Sequence, residues 1–183
     1  RIQDPLAELV KIEPRSIGVG QYQHDLPPRE LNEKLKAVVE SAVNQVGVDL
    51  NSASAPLLSY VAGVSDTVAQ NIVKYRDQEG KFRSRQQLLK VARLGPATFQ
   101  QAAGFLRIYE GDNPLDSTAI HPESYAVALK LLDMVGASSE DIGKPVMSSR
   151  LSGLHLVELA AQLEVGEPTL KDVIEALQKP HRD

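Results

Sequence analysis

Residues 57–108 read LLSYVAGVSDTVAQNIVKYRDQEGKFRSRQQLLKVARLGPATFQQAAGFLRI. Just upstream, Ser54 can cap a short helix with Pro56 in its first turn, where a missing N–H costs nothing. That helix is expected to run to about Val61. Gly63-Val64-Ser65 makes a tight turn, and a second helix follows from about Asp66 to Arg76, with Val68, Ala69, Ile72, Val73 and Tyr75 on its inner face. Glu79-Gly80 breaks the chain. Ser84 and Gln87 then form a capping box that starts a helix through Leu88, Leu89 and Val91. Another tight turn, Leu94-Gly95-Pro96, leads into a helix bearing Phe99, Ala102, Ala103 and Leu106. Both halves share one plan: short helix, glycine hairpin, second helix.

Such a helix-hairpin-helix leaves several backbone N–H groups unpaired at the start of its second helix. Together with the positive end of the helix dipole they form an anion site suited to a nucleic-acid phosphate. Contacts of that kind carry no base information, so sequence-independent binding of DNA or RNA is expected. The expected donors are Gly63, Val64 and Ser65 in the first hairpin and Leu94 and Gly95 in the second. A monovalent cation can bridge hairpin carbonyls to phosphate; no other cofactor is expected. Asp66 works against an anion at its turn, and Arg93 stands where the first glycine of a G-x-G hairpin usually lies. A third turn, Val165 to Pro168, carries Glu167 and is expected to pack rather than bind. Glycine turns between helices are common, so one alone means little; two in register mean more. The competing reading is a helical scaffold that uses its hairpins only to fold and to bind other proteins.

Charge favours the first reading locally. The chain nets −4, but Lys74 to Arg107 holds eight basic residues against Asp77 and Glu79, a net +6, while the remainder nets −10. Screening within about 8 Å makes local charge decisive for contact with a polyanion. Lys74, Lys81, Arg83, Arg85, Arg93 and Arg107 are therefore the candidate phosphate-binding side chains. The acidic C-terminal part could instead dock basic partners.

Outward from this core, apolar residues from Leu31 to Val46 recur at three- and four-residue steps, an amphipathic helix over about 30–46 ended by Gly47. Residues 111–117 (GDNPLDS) read as a polar linker. Pro122 begins a helix closed by Gly136; a loop spans Gly143 to Ser152; a helix runs from about Leu154 to Leu163, and a last one to about Leu177. The expected class is all-α: a tandem helix-hairpin-helix domain with its leading helix over 29–110, a second small helical domain over 117–180 with a degenerate hairpin, and a short extended stretch over 1–28.

Asp49 to Ile108 resembles the tandem helix-hairpin-helix of ComEA-type DNA-binding proteins through its DLN-S-AS opening, A-x-x-IV-x-YR helix, G-x-F and QLL-x-V-x-x-LGP, all in order. DPLAELVKIEPRSIGVGQYQHDL before it and NPLDSTAIHPESY after it resemble the Tex family of bacterial transcription accessory proteins. The resemblance implies a cytoplasmic nucleic-acid-binding protein linked to the transcription machinery. It also implies that 1–28 is the remnant of an RNase H-like YqgF domain, and that an S1 RNA-binding domain would follow. Beginning at Arg1, the chain reads as a piece of something longer.

Other chemistry finds little support. Zero cysteines exclude disulfides and thiolate metal sites and fit a reducing, cytosolic compartment. His24, His121, His155 and His181 are scattered without metal-ligand spacing, and no P-loop, nucleophile-elbow or dinucleotide motif occurs. Lys74 and Asp77, late in their helix, invite comparison with base-excision glycosylases, but there is no tryptophan and no second helical domain resembling a base pocket. A monomeric, non-enzymatic protein off the membrane is expected.

Overall fold

The computed structural model describes residues 28–179, in which helices and short turns are joined by one two-stranded sheet. The extended stretch expected over 1–28 lies, but for its last residue, outside the described residues. Within them the chain divides into a first unit, residues 28–81 and 88–106, and a second, residues 82–87 and 107–179.

The first unit opens with α1 (Pro28–Val46), which buries Leu31, Val39 and Val43. Gly47 ends it at φ 86°, a backbone that favours glycine. Strand β1 (Val48–Asp49) follows. The Ser54 hydroxyl then accepts from the Leu57 amide at 3.3 Å, capping the single turn α2 (Ala55–Leu58). Beyond Leu58 the chain continues through three-residue turns, Tyr60 N–H to Leu57 and Val61 N–H to Leu58, rather than as an α-helix to Val61. After the first hairpin comes α3 (Asp66–Glu79), stopped by Gly80 at φ 90°. After the second come α4 (Pro96–Ala102), a 3-10 turn (Ala103–Phe105) and β2 (Leu106–Arg107), which pairs with β1. Leu106 is thus a strand residue, not a helical one. Both residues of β2 are buried, so no alternation betrays the strand in the sequence.

The Ser84–Gln87 capping pair forms, but it starts a 3-10 helix (Arg85–Lys90), not an α-helix. The Gln87 side chain accepts from the amides of Arg83 and Ser84 at 2.6 and 3.0 Å, and the Ser84 hydroxyl accepts from Gln86 at 3.1 Å. Superimposed on this is a repeat of 30 residues. Ser54 and Ser84 cap the leading turns, and Leu58 and Leu88, Val61 and Val91, and Val64 and Leu94 take matching buried positions.

The second unit consists of α5 (Tyr125–Val135), α6 (Pro145–Leu151), α7 (Leu156–Leu163) and α8 (Glu167–Gln178), with 3-10 turns at Pro114–Ser117, Pro122–Ser124 and Ser139–Asp141. Its core is Leu115, Ala128, Leu131, Leu132, Met147, Leu151, Leu163, Leu170, Val173 and Leu177, with neighbours. Two expectations change here. Residues 145–151 are helix rather than loop; only Met147 and Leu151 face inward, too few to show a period. Residues 111–117 are not a linker either. Asn113 caps a turn that buries Leu115 and Asp116, and a Cβ on Gly111 would lie 2.6 Å from the Arg83 carbonyl oxygen.

Residues 82–87 belong to this second unit: the Asp112 amide donates to the Arg83 carbonyl at 2.8 Å, and one buried side chain adds the densest set of bonds. Arg85, 1% exposed, donates to the carbonyls of Thr118 and Ile120 at 2.5 and 2.6 Å and to the Tyr125 hydroxyl at 2.9 Å. Its own amide donates to the Asp116 carboxylate at 3.3 Å, and Tyr125 donates to the same carboxylate. Burial pushes the Tyr125 hydroxyl far above the usual tyrosine range, although the Arg85 charge pulls the other way. Replacing Arg85 with Met strands these acceptors without a donor; the second unit should lose about 3 kcal/mol, read from the urea midpoint. The raised Tyr125 value means that the folded state holds this proton more tightly than the unfolded chain. Its stabilisation is complete below pH ~10 and is lost as pH rises further. Tyr125→Phe should therefore be less alkali-sensitive than the wild type in melts between about pH 9 and 11.

Candidate nucleic-acid interface

Both hairpins of the first unit are built alike. In the first, the Val64 amide returns to the Val61 carbonyl at 3.0 Å while Gly63 passes through left-handed backbone at φ 86°. In the second, the Leu94 amide returns to Val91 at 3.1 Å and Arg93 occupies the left-handed position at φ 65°. Arg93 therefore stands at the glycine position, as its place in the sequence suggested. Ser65 and Gly95 follow as the N-caps of α3 and α4, and their carbonyls accept from Ala69 and Phe99 at 2.9 Å.

The second helix of each half also reaches the other half's hairpin. Asn71 of α3 donates to the Ala92 carbonyl at 2.8 Å. Thirty residues later, Gln101 of α4 lies so close to Gly63 that a Cβ there would meet it at 2.9–3.0 Å. From α1, the Asn44 side chain accepts from the Ala62 amide at 3.0 Å. Asn44, Asn71 and Gln101 are positioning residues that no hydrophobic period exposes; the equal spacing of Asn71 and Gln101 was their only signal.

Two of the expected donors are spent within the turns. Val64 and Leu94 spend their N–H groups inside the turns and bury their side chains, so neither serves a phosphate. Ser65 uses its hydroxyl on the Val68 amide at 3.2 Å, as a cap. The first-turn amides that a helix leaves without an intrahelical partner are those of Asp66 and Thr67 in α3 and of Ala97 and Thr98 in α4, Pro96 having none.

The expected cations separate into two groups. Arg85 is buried as described. Arg107 is also buried, 4% exposed, and desolvation pulls its guanidinium below the usual arginine range. Neither faces an external phosphate, because both serve the interior. Arg83 is exposed but donates to the Asp112 carboxylate at 2.8 Å. Arg76, another member of the basic stretch, donates to the carbonyls of Leu50 and Ala53. The other exposed cations of the stretch are Lys74, Lys81, Lys90 and Arg93. Lys74 lies three residues beyond Asn71 on the same helix face, which brings it to the side of the second hairpin.

The second unit repeats the device. Gly153 at φ 73° precedes α7 through Leu154 and His155; this turn falls between the loop expected over 143–152 and the helix expected from about Leu154. Glu164 at φ 55° precedes α8 through Val165 and Gly166.

A helix-hairpin-helix motif model matches residues 43–107, and an HHH domain model matches residues 113–183. Over its whole length the chain is 55% identical to uncharacterized protein YdcI of Bacillus subtilis (strain 168), covering 26% of that protein. It is likewise 55% identical to protein YhgF of Escherichia coli (strain K12), covering 23%, and 53% identical to the transcriptional accessory protein Tex of Neisseria gonorrhoeae, covering 24%. Along its whole length the chain is thus 50–55% identical to one segment of proteins named Tex or YhgF. It spans about a quarter of the length of the curated relatives it matches.

In this segment the two hairpins divide the G-x-G pattern between them. The first keeps the leading glycine and the second keeps the trailing one. Left-handed backbone costs a residue other than glycine about 1–2 kcal/mol, so Arg93 is retained against a conformational penalty. Arg93→Gly should raise the thermal midpoint of the first unit, by an amount equivalent to about 1 kcal/mol. A lowered midpoint would show that the Arg93 side chain stabilises the fold itself.

Proposed function

We propose that the first unit holds the sugar–phosphate backbone of DNA or RNA without reading base sequence, as the nucleic-acid-gripping element of a transcription accessory protein. The observation that carries this reading is the pair of matching hairpins, each opening a helix with unspent amides, beside exposed Lys74, Lys90 and Arg93. The 53% identity to a segment of a protein named transcriptional accessory protein Tex supports it. In this reading the unit acts as a monomer in the cytosol and performs no chemical step, and a monovalent cation can bridge hairpin carbonyls to phosphate. No helix among the described residues is long and apolar enough to cross a membrane.

Asp66 at the donor end of α3 favours the second reading, in which the hairpins serve only to fold and to orient helices for a protein partner. Fluorescence anisotropy of the chain with labelled random-sequence duplex DNA and RNA, across a salt series, separates the two. For duplex DNA the backbone-binding reading expects log K to fall by about 0.9 for each phosphate neutralised, whatever the sequence. It also expects Lys74→Glu combined with Arg93→Glu to weaken binding roughly tenfold or more, with the circular dichroism unchanged. Absence of binding by the folded wild type at low salt would leave the scaffold reading.

A further inference from the structure

The leading turns of the two hairpins are anchored by different means. In the first half, α2 begins at Ala55, whose side chain has nothing to donate. The chain ahead of it is held from within the first unit, by Arg76 of α3 donating to the Leu50 and Ala53 carbonyls at 2.8 and 2.9 Å. Thirty residues on, the position of Ala55 is taken by Arg85, the first residue of the 3-10 helix Arg85–Lys90. Every hydrogen bond described above for Arg85 ends on a residue of the second unit: Thr118, Ile120, Tyr125 and Asp116. Residues 82–87 are second-unit residues, Arg83 being held there too by the Asp112 amide on its carbonyl at 2.8 Å, whereas Leu88 to Leu106 belong to the first. One six-residue helix thus starts in one unit and ends in the other.

We infer that Arg85 is a positioning residue for the second hairpin, making that hairpin's order conditional on the folded second unit while the first hairpin stands without it. The dependence is carried by covalent continuity. The Val91 amide donates to the Leu88 carbonyl at 3.1 Å and the Leu94 amide to the Val91 carbonyl at 3.1 Å, so the second hairpin is stacked directly on the 3-10 helix that Arg85 begins. A 3-10 helix is weakly held by its own hydrogen bonds. Removal of its anchored end should let the helix and the turn above it open locally, at a lower free energy than the rest of the unit. The first hairpin has the same bonds, Val61 to Leu58 and Val64 to Val61, both 3.0 Å, but no residue of its leading turn belongs to the second unit. For the proposed phosphate grip the consequence rests on the backbone-binding reading: the second hairpin is available only while the second unit is folded.

The matched amides provide an internal control. Native-state hydrogen exchange is measured on the whole chain, wild type and Arg85→Met, without nucleic acid. The expected result is exchange at Val91 and Leu94 faster by roughly tenfold or more, with Val61 and Val64 changed by less than about twofold. If Arg85→Met does not fold, Leu131→Ala takes its place. Leu131 is fully buried in the second unit's core and touches neither hairpin's bonding, and it should produce the same asymmetry. Equal acceleration at both hairpins, or undiminished protection at Val91 and Leu94 while second-unit core amides exchange fast, overturns the inference. Exchange needs no ligand, so this outcome is independent of the anisotropy experiment; a wild type that fails to bind nucleic acid leaves the exchange result standing.

Discussion

To turn from one helix into the next through a short connection, this chain carries one residue through left-handed backbone, and in both first-unit hairpins it turns the next amide back onto the preceding turn. The left-handed residue is Gly63 or Arg93 in the first unit and Gly153 or Glu164 in the second, and the returning amide follows it at Val64, Leu94 and Val165. In the first unit this geometry decides both what the hairpins can offer and what they cannot. The amides of Val64 and Leu94 are consumed in closing the turns, and the side chains of these residues plug the core beneath. What remains for an external anion lies one step further along, at the opening turns of α3 and α4, where helical geometry leaves donors without partners.

The arginines show how far position overrides residue type. Arg76 and Arg85 do similar work in different units, each threading a guanidinium among backbone carbonyls that would otherwise be buried without a donor. Arg93 does the opposite. It accepts an unfavourable backbone conformation and keeps its side chain in solvent. Arg83 is held at the surface by an exposed ion pair of the kind that contributes about 0–1 kcal/mol to stability, so its charge is offset more than its motion is restricted. A net charge of +6 over the basic stretch therefore overstates the field that a ligand would meet.

Local signals carried a good deal of the architecture. The serine caps at Ser54 and Ser84, the glycine stops at Gly47 and Gly136, and the three- and four-residue apolar spacing of α1, α3 and α5 are short-range effects, and all appear where the chain suggested them. Elements too short or too evenly buried to show a period were missed: α6, with two inward residues, and β2, with none facing out. Residues 111–117 read as a linker because proline, asparagine and aspartate favour turns, yet their turn is buried beneath Arg85.

By itself, then, the sequence determined that this is an all-helical chain with two hairpins in register, that Arg93 replaces a glycine, and where the basic residues are concentrated. Those properties follow from backbone preferences and from spacing along one helix, both readable within a few residues. Only the tertiary structure decided which cations remain in solvent, which amides are spent, and to which unit residues 82–87 belong. The amides are spent on carbonyls only three residues back, but the fate of the cations and of residues 82–87 depends on carbonyls and carboxylates from 20 to 35 residues away, as Arg76 meets Leu50 and Arg85 meets Ile120. The free energy of burying a charge is set by such partners, and the identity of the charged residue does not reveal them.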